Sequence, residues 1–137
     1  MSAVTRRELL RKIYNDELIL AYVEAMLWSS TDESDESGGY PLDENYELED
    51  FTVEGLQRIV SDCEEFLAMP GVEAAIDEEA IDDEMVGHDL WLTRNGHGAG
   101  FWDRGYPKKI DKVLTDAAHS MGEQWPYVGD NGRLYIM

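Results

Sequence analysis

The sequence predicts an α+β fold of element order ααα-ββ-α-ββ, with a small antiparallel sheet packed against helices. Three observations carry that reading. Apolar residues recur at helical spacing in four segments, aromatic and β-branched runs flank two glycine-rich turns, and no segment repeats another. The 137 residues read as one domain, 1–137. Within it, 1–86 is a helical acidic part with a flexible acidic loop at about 29–50, and 87–137 is a hairpin-helix-hairpin part.

The first helix is expected from Thr5 to about Trp28, where Leu9, Ile13, Leu18, Tyr22, Val23 and Met26 keep the helical rhythm and no Gly or Pro intervenes. Residues Ser29–Gly39 lose that rhythm and read as a solvated loop. A second helix runs from about Val53 to Met69, capped by Thr52 and stopped by Pro70-Gly71. The lone Cys63 lies on its apolar stripe, which points to burial as a small hydrophobe and excludes an internal disulfide. A third helix is expected from about Val72 to Val86, with Val72, Ala75, Ile76, Ala80, Ile81 and Met85 inward.

At Gly87 the character changes. Asp89–Thr93, the turn Asn95-Gly96 and Gly100–Asp103 read as a β-hairpin, with Trp91 and Trp102 as buried aromatics. Pro107 opens a helix that Gly122 ends. Pro126–Val128 and Leu134–Ile136, joined through Gly129-Asp130-Asn131-Gly132, make the second hairpin.

Charge distribution is the most informative feature of the chain. The net charge is −19, from 30 acids and 11 bases. Residues 13–89 hold 24 of the acids against one base, Arg58, a net of −23. Salt adaptation acidifies a whole surface, whereas here residues 90–137 hold six bases and five acids. Direct nucleic-acid binding is disfavoured, because phosphate neutralisation requires a basic surface. No apolar run approaches the roughly 18 residues of a membrane span, and the first residues lack an export signal. With a single cysteine, the chain fits a reducing cytoplasm.

The block Gly87-His88-Asp89-Leu90-Trp91-Leu92-Thr93-Arg94-Asn95-Gly96-His97-Gly98-Ala99-Gly100-Phe101-Trp102-Asp103-Arg104-Gly105, followed by Tyr127–Tyr135, resembles small acidic proteins of bacteriophages and other mobile elements. The likeness covers about residues 87–137 and, loosely, Leu27–Asp32. It implies a setting, the cytoplasm of a bacterial host, and no activity, cofactor or catalytic residue.

Two constellations could carry chemistry. His88, Asp89, Arg94, Asn95, His97, Asp103 and Arg104 could form an acid/base and anion-binding site on the expected hairpin. No nucleophile stands beside either histidine, so cross-strand ion pairing and turn formation account for the same residues. The Gly96–Gly100 run lacks a following helix and is a poor phosphate cradle. Around Asp32, the EF-hand spacing fails at Ser37, where glycine is required. No metal, cofactor or catalytic residue is therefore assigned.

The second constellation is the acidic span: Glu73, Asp77, Glu78, Glu79, Asp82, Asp83 and Glu84 on the third helix, with Asp32, Glu33, Asp35 and Glu36 in the loop. Carboxylates three or four residues apart on a helix lie about 5–6 Å apart at Cβ. That approaches the spacing of phosphates along a DNA strand, roughly 6–7 Å. The expectation is a non-enzymatic inhibitor that mimics DNA in the basic groove of a host nucleic-acid-binding or defence protein. The alternatives are a small enzyme or ligand-binding protein using His88–Arg104, and an acidic interaction module for another basic protein.

Overall fold

A computed structural model describes residues 4–32 and 39–136. The fold is α+β, with two separate two-stranded antiparallel sheets beside the helices. The helices are α1 (Arg6–Tyr14), α2 (Glu17–Ser29), α3 (Val53–Ala68), α4 (Val72–Glu78), α5 (Asp83–Arg94) and α6 (Lys108–Ser120). The strands are β1 (Thr31–Asp32), β2 (Tyr40–Pro41), β3 (Pro126–Val128) and β4 (Leu134–Ile136).

The expected first helix divides into α1 and α2. Asn15 ends α1 and folds its side-chain amide onto the Arg11 carbonyl at 2.8 Å. Asp16 then caps α2, accepting from the Leu18 and Ile19 amides at 3.0 and 3.1 Å. Two polar side chains thus satisfy the backbone groups that a break exposes, so the break costs little. Arg6, in the first turn of α1 where a cation opposes the dipole, donates to the Phe51 and Glu49 carbonyls, whereas Lys12, in the last turn where a cation is favourable, pairs with Glu64 at 3.6 Å.

The expected 89–103 hairpin is not formed. Residues 83–94 are helix α5, and Phe101–Asp103 is a single 3-10 turn. Two glycines mislead the sequence reading. A Cβ on Gly87 would fall 1.9 Å from the Leu18 carbonyl oxygen, so this glycine lets α2 and α5 cross backbone to backbone. Gly96, at φ 68°, is the left-handed residue just beyond the Asn95 cap and stops α5. Helix α5 is buried around most of its circumference, which removes the amphipathic period and leaves a run that resembles a strand. Trp91 is fully buried as expected, whereas Trp102 is 47% exposed.

The expected 72–86 helix also divides. Glu79 ends α4, and Ala80, expected inward, is instead exposed at the break with a left-handed φ of 48°. The Ile81 amide donates to the Ile76 carbonyl at 3.0 Å and the Ala80 amide to the Asp77 carbonyl at 3.2 Å, a Schellman stop with alanine where glycine is usual. Asp82 restarts the chain as the cap of α5, accepting from the Met85 amide at 2.9 Å.

Both ends of the expected 29–50 loop are ordered. β1 and β2 pair Thr31 with Pro41 and Asp32 with Tyr40, while Leu42 and Leu48 enter the core. The second hairpin forms as expected, with Tyr127 opposite Tyr135, their rings 5.4 Å apart. Helices α3 and α6 also match expectation, and Cys63 is buried, which pushes its thiol well above the usual range. The core is continuous from Ile13 and Tyr22 through Phe66 and Trp91 to Leu114.

Candidate functional site

Helix α5 organises both polar constellations. Its N-terminal end carries carboxylates, its middle carries His88 and Asp89, and its last residue is Arg94. Alongside it, Ala21, Glu24, Ala25 and Trp28 occupy one face of α2 at i, i+3, i+4, i+7 spacing. Between that face and Asp82, Glu84, Met85 and His88 lies a cleft of about 800 Å³. Asp43, from the 3-10 turn Leu42–Glu44, and Arg104 complete its wall.

Under the cleft, Asp89 is fully buried and accepts two hydrogen bonds from Arg104, Nε at 2.9 Å and Nη2 at 2.7 Å. This bidentate pair keeps a charged carboxylate tolerable in the interior. The hydrogen bond with Asp89 raises the Arg104 guanidinium further above its ordinary range, against burial. Burial, then the Asp89 charge, raises the neighbouring Tyr106 phenol. His88 Nδ1 lies 3.3 Å from Asp89 Oδ1, and its ring sits 6.3 Å from that of Trp28, tilted 34°.

The other hairpin candidates are not part of this cleft. Arg94 is buried and donates to Asp62 Oδ2 and the Tyr22 hydroxyl, each at 3.0 Å. It also donates to the Met121 and Gly122 carbonyls, capping the C-terminal end of α6 with a cation. Asn95 joins the Trp91 carbonyl to the Gln124 amide. Asp103 accepts from the Gly100 amide, and His97 meets the edge of Trp125 at 6.2 Å. Gly100 is structural, since a Cβ there would lie 2.3 Å from Thr93 Oγ1. Arg94 and Asp62, 32 residues apart, give no local signal; their pairing exists only through the tertiary fold, in which α3 and α5 both contact α2.

The acidic candidates fall into two groups. Glu73, Asp77 and Glu78 lie on α4, Glu79 is its terminal cap, Asp82 caps α5, and Asp83 and Glu84 open its first turn. All are exposed except the half-buried Glu79. The break at Ala80 separates what the sequence reads as one row. Glu73, Asp77 and Asp83 border a shallow cavity of about 250 Å³, while Asp82 and Glu84 face the larger cleft. Among the described residues, no ion pair reaches any of these seven carboxylates. Asp32 is half-buried in the β1–β2 pair, and Glu33, Asp35 and Glu36 lie outside the described residues.

Among the described residues, the cleft lining includes no serine, threonine or cysteine that would set a hydroxyl or thiol nucleophile against His88. Among the described residues, no three His, Cys, Asp or Glu side chains converge as a metal site, and no helix is long and apolar enough to cross a membrane. No family model, curated protein or solved structure matches the chain.

Proposed function

We propose that this chain is a non-enzymatic acidic docking protein. It places the α4–α5 carboxylates in the basic groove of a nucleic-acid-binding protein, where DNA would otherwise lie. The observation that carries this reading is the set of seven carboxylates between residues 73 and 84, none ion-paired among the described residues. Such a surface steers a basic partner over distance and releases its counterions on contact, the two terms that favour DNA binding. Helices carry the array, so docking requires less ordering than a flexible acidic tail would. The setting proposed with this reading is a bacterial cytoplasm, and the target a host defence or DNA-handling protein.

An enzymatic reading using His88, Asp89 and Arg104 is weaker. Both Asp89 oxygens are committed to Arg104, and among the described residues the cleft lining offers no hydroxyl or thiol nucleophile. Affinity capture from bacterial lysate tests the docking reading. The wild-type chain should retain a DNA-handling protein, and a double Asp77→Lys, Glu78→Lys variant should not. Capture of the same protein by both would sink the proposal.

A further inference from the structure

The cleft between α2 and α5 differs from the carboxylate face beside it, because it combines acid with an exposed aromatic ring. Trp28 is 60% exposed, the most exposed large apolar side chain among the described residues. Its one ring neighbour among the described residues is His88, at 6.3 Å and 34°, wider and more tilted than the stacked Phe66–Phe101 pair at 5.7 Å and 9°. Ala21, Ala25, Leu27 and Met85 provide apolar lining. Glu24, Asp43, Asp82 and Glu84 supply four carboxylates, none in an ion pair among the described residues. The sole guanidinium of the wall, Arg104, is already held by Asp89.

We propose that this cleft receives one arginine side chain of the basic partner, its guanidinium against Trp28 and its methylenes over the apolar lining. The inference rests on the docking reading only in supposing that the partner is basic. Charge decides the sign of the guest: four unpaired carboxylates against one committed cation repel phosphate and carboxylate ligands. Shape decides between the cations. A planar guanidinium stacks on an indole face and donates in forks to carboxylates, while an ammonium does neither as well. A neutral apolar segment is disfavoured because it would strip water from the carboxylates without pairing them. The cleft, about 800 Å³, has room for one long side chain and its backbone.

The probe is a capped Gly-Arg-Gly tripeptide, with citrulline as the uncharged isostere and lysine as the non-planar cation. Binding is followed by NMR of the Trp28 indole and His88 ring signals. The arginine peptide should shift both signals saturably, lysine should bind more weakly, and citrulline should leave them unmoved. Trp28→Ala should weaken arginine binding by about fivefold to tenfold, between the exposed and the desolvated limits of a cation–π contact, and Trp28→Phe should restore part of it. Glu84→Gln should also weaken it, whereas Trp102→Ala should not. Asp77→Lys with Glu78→Lys, outside the cleft, should keep peptide binding while losing the captured partner, so the two proposals can fail separately. Equal binding of citrulline, or saturation without movement of the Trp28 signal, or no saturable shift with arginine, would overturn the assignment.

Discussion

The carboxylates of this protein occupy two contrasting environments. Asp62 and Asp89 are buried, and each is held by an arginine, Arg94 or Arg104, at 3.0 Å or less. Those between Glu73 and Glu84 are mostly exposed and meet no cation among the described residues. The first group joins α3, α5 and the end of α6; the second makes no such connection. Acidity therefore has two settings in one chain. Where a carboxylate is desolvated, its cation is part of the fold, and where it is solvated between Glu73 and Glu84, no cation among the described residues reaches it.

Removing a buried partner should have the largest effect. Asp62→Ala leaves the Arg94 guanidinium buried without its carboxylate and should cost about 3–5 kcal/mol, read from urea unfolding. Replacing both members, Asp62→Leu with Arg94→Met, should cost much less than the sum of the single changes. If the single change proves neutral, the buried pair is not part of the fold's support and the contrast collapses.

Helix α5 shows why such pairs were hard to read. The stripes of α3 and α6 follow a helical period, and Thr52, Pro70-Gly71, Pro107 and Gly122 mark their limits, so both were legible. The second hairpin was legible from its Gly129–Gly132 turn. In α5, burial of Val86, Leu90, Trp91, Leu92 and Thr93 on several sides erased the period, and Gly87 and Gly96 imitated a strand boundary and a turn. The identity of the exposed acids was legible from composition, but their division at Ala80 was not. The cleft was hidden because Trp28, Asp43, His88 and Arg104 converge only through the tertiary packing.

That division predicts opposite signs within one acidic row. Ala80→Gly should stabilise by about 1 kcal/mol, since alanine bears the cost of a left-handed residue, measured as a rise in unfolding midpoint. Asp77→Lys with Glu78→Lys should also stabilise, by about 0.3–1 kcal/mol for each charge, because both acids face the negative end of α4. Asp83→Lys with Glu84→Lys should destabilise by a similar amount, because these acids favour the positive start of α5. Equal shifts from the two pairs would mean that net charge, and not helix position, governs the row.

An intermediate case should give the smallest effect. Exposed Tyr14 donates to Glu49 at 2.7 Å, and burial, then that hydrogen bond, pushes its phenol up from 10.0 to about 12. Between pH 10 and about 12 the unfolded phenol ionises first, so the bond's contribution is complete below that range and fades as pH rises through it. Alkaline titration of stability should therefore be flatter for Tyr14→Phe than for wild type. An identical alkaline loss in both would place the cause at another group.

The most direct test of the central claim, that the unpaired carboxylates stand in for nucleic acid, is a competition measurement on the captured partner. Duplex DNA is titrated against the complex at several salt concentrations, and the bound fraction of this chain is followed. Mutually exclusive binding is predicted, with affinity for this chain and for DNA both falling as salt rises, since both draw on one basic groove. A ternary complex in which partner, DNA and this chain coexist at undiminished affinity would contradict it.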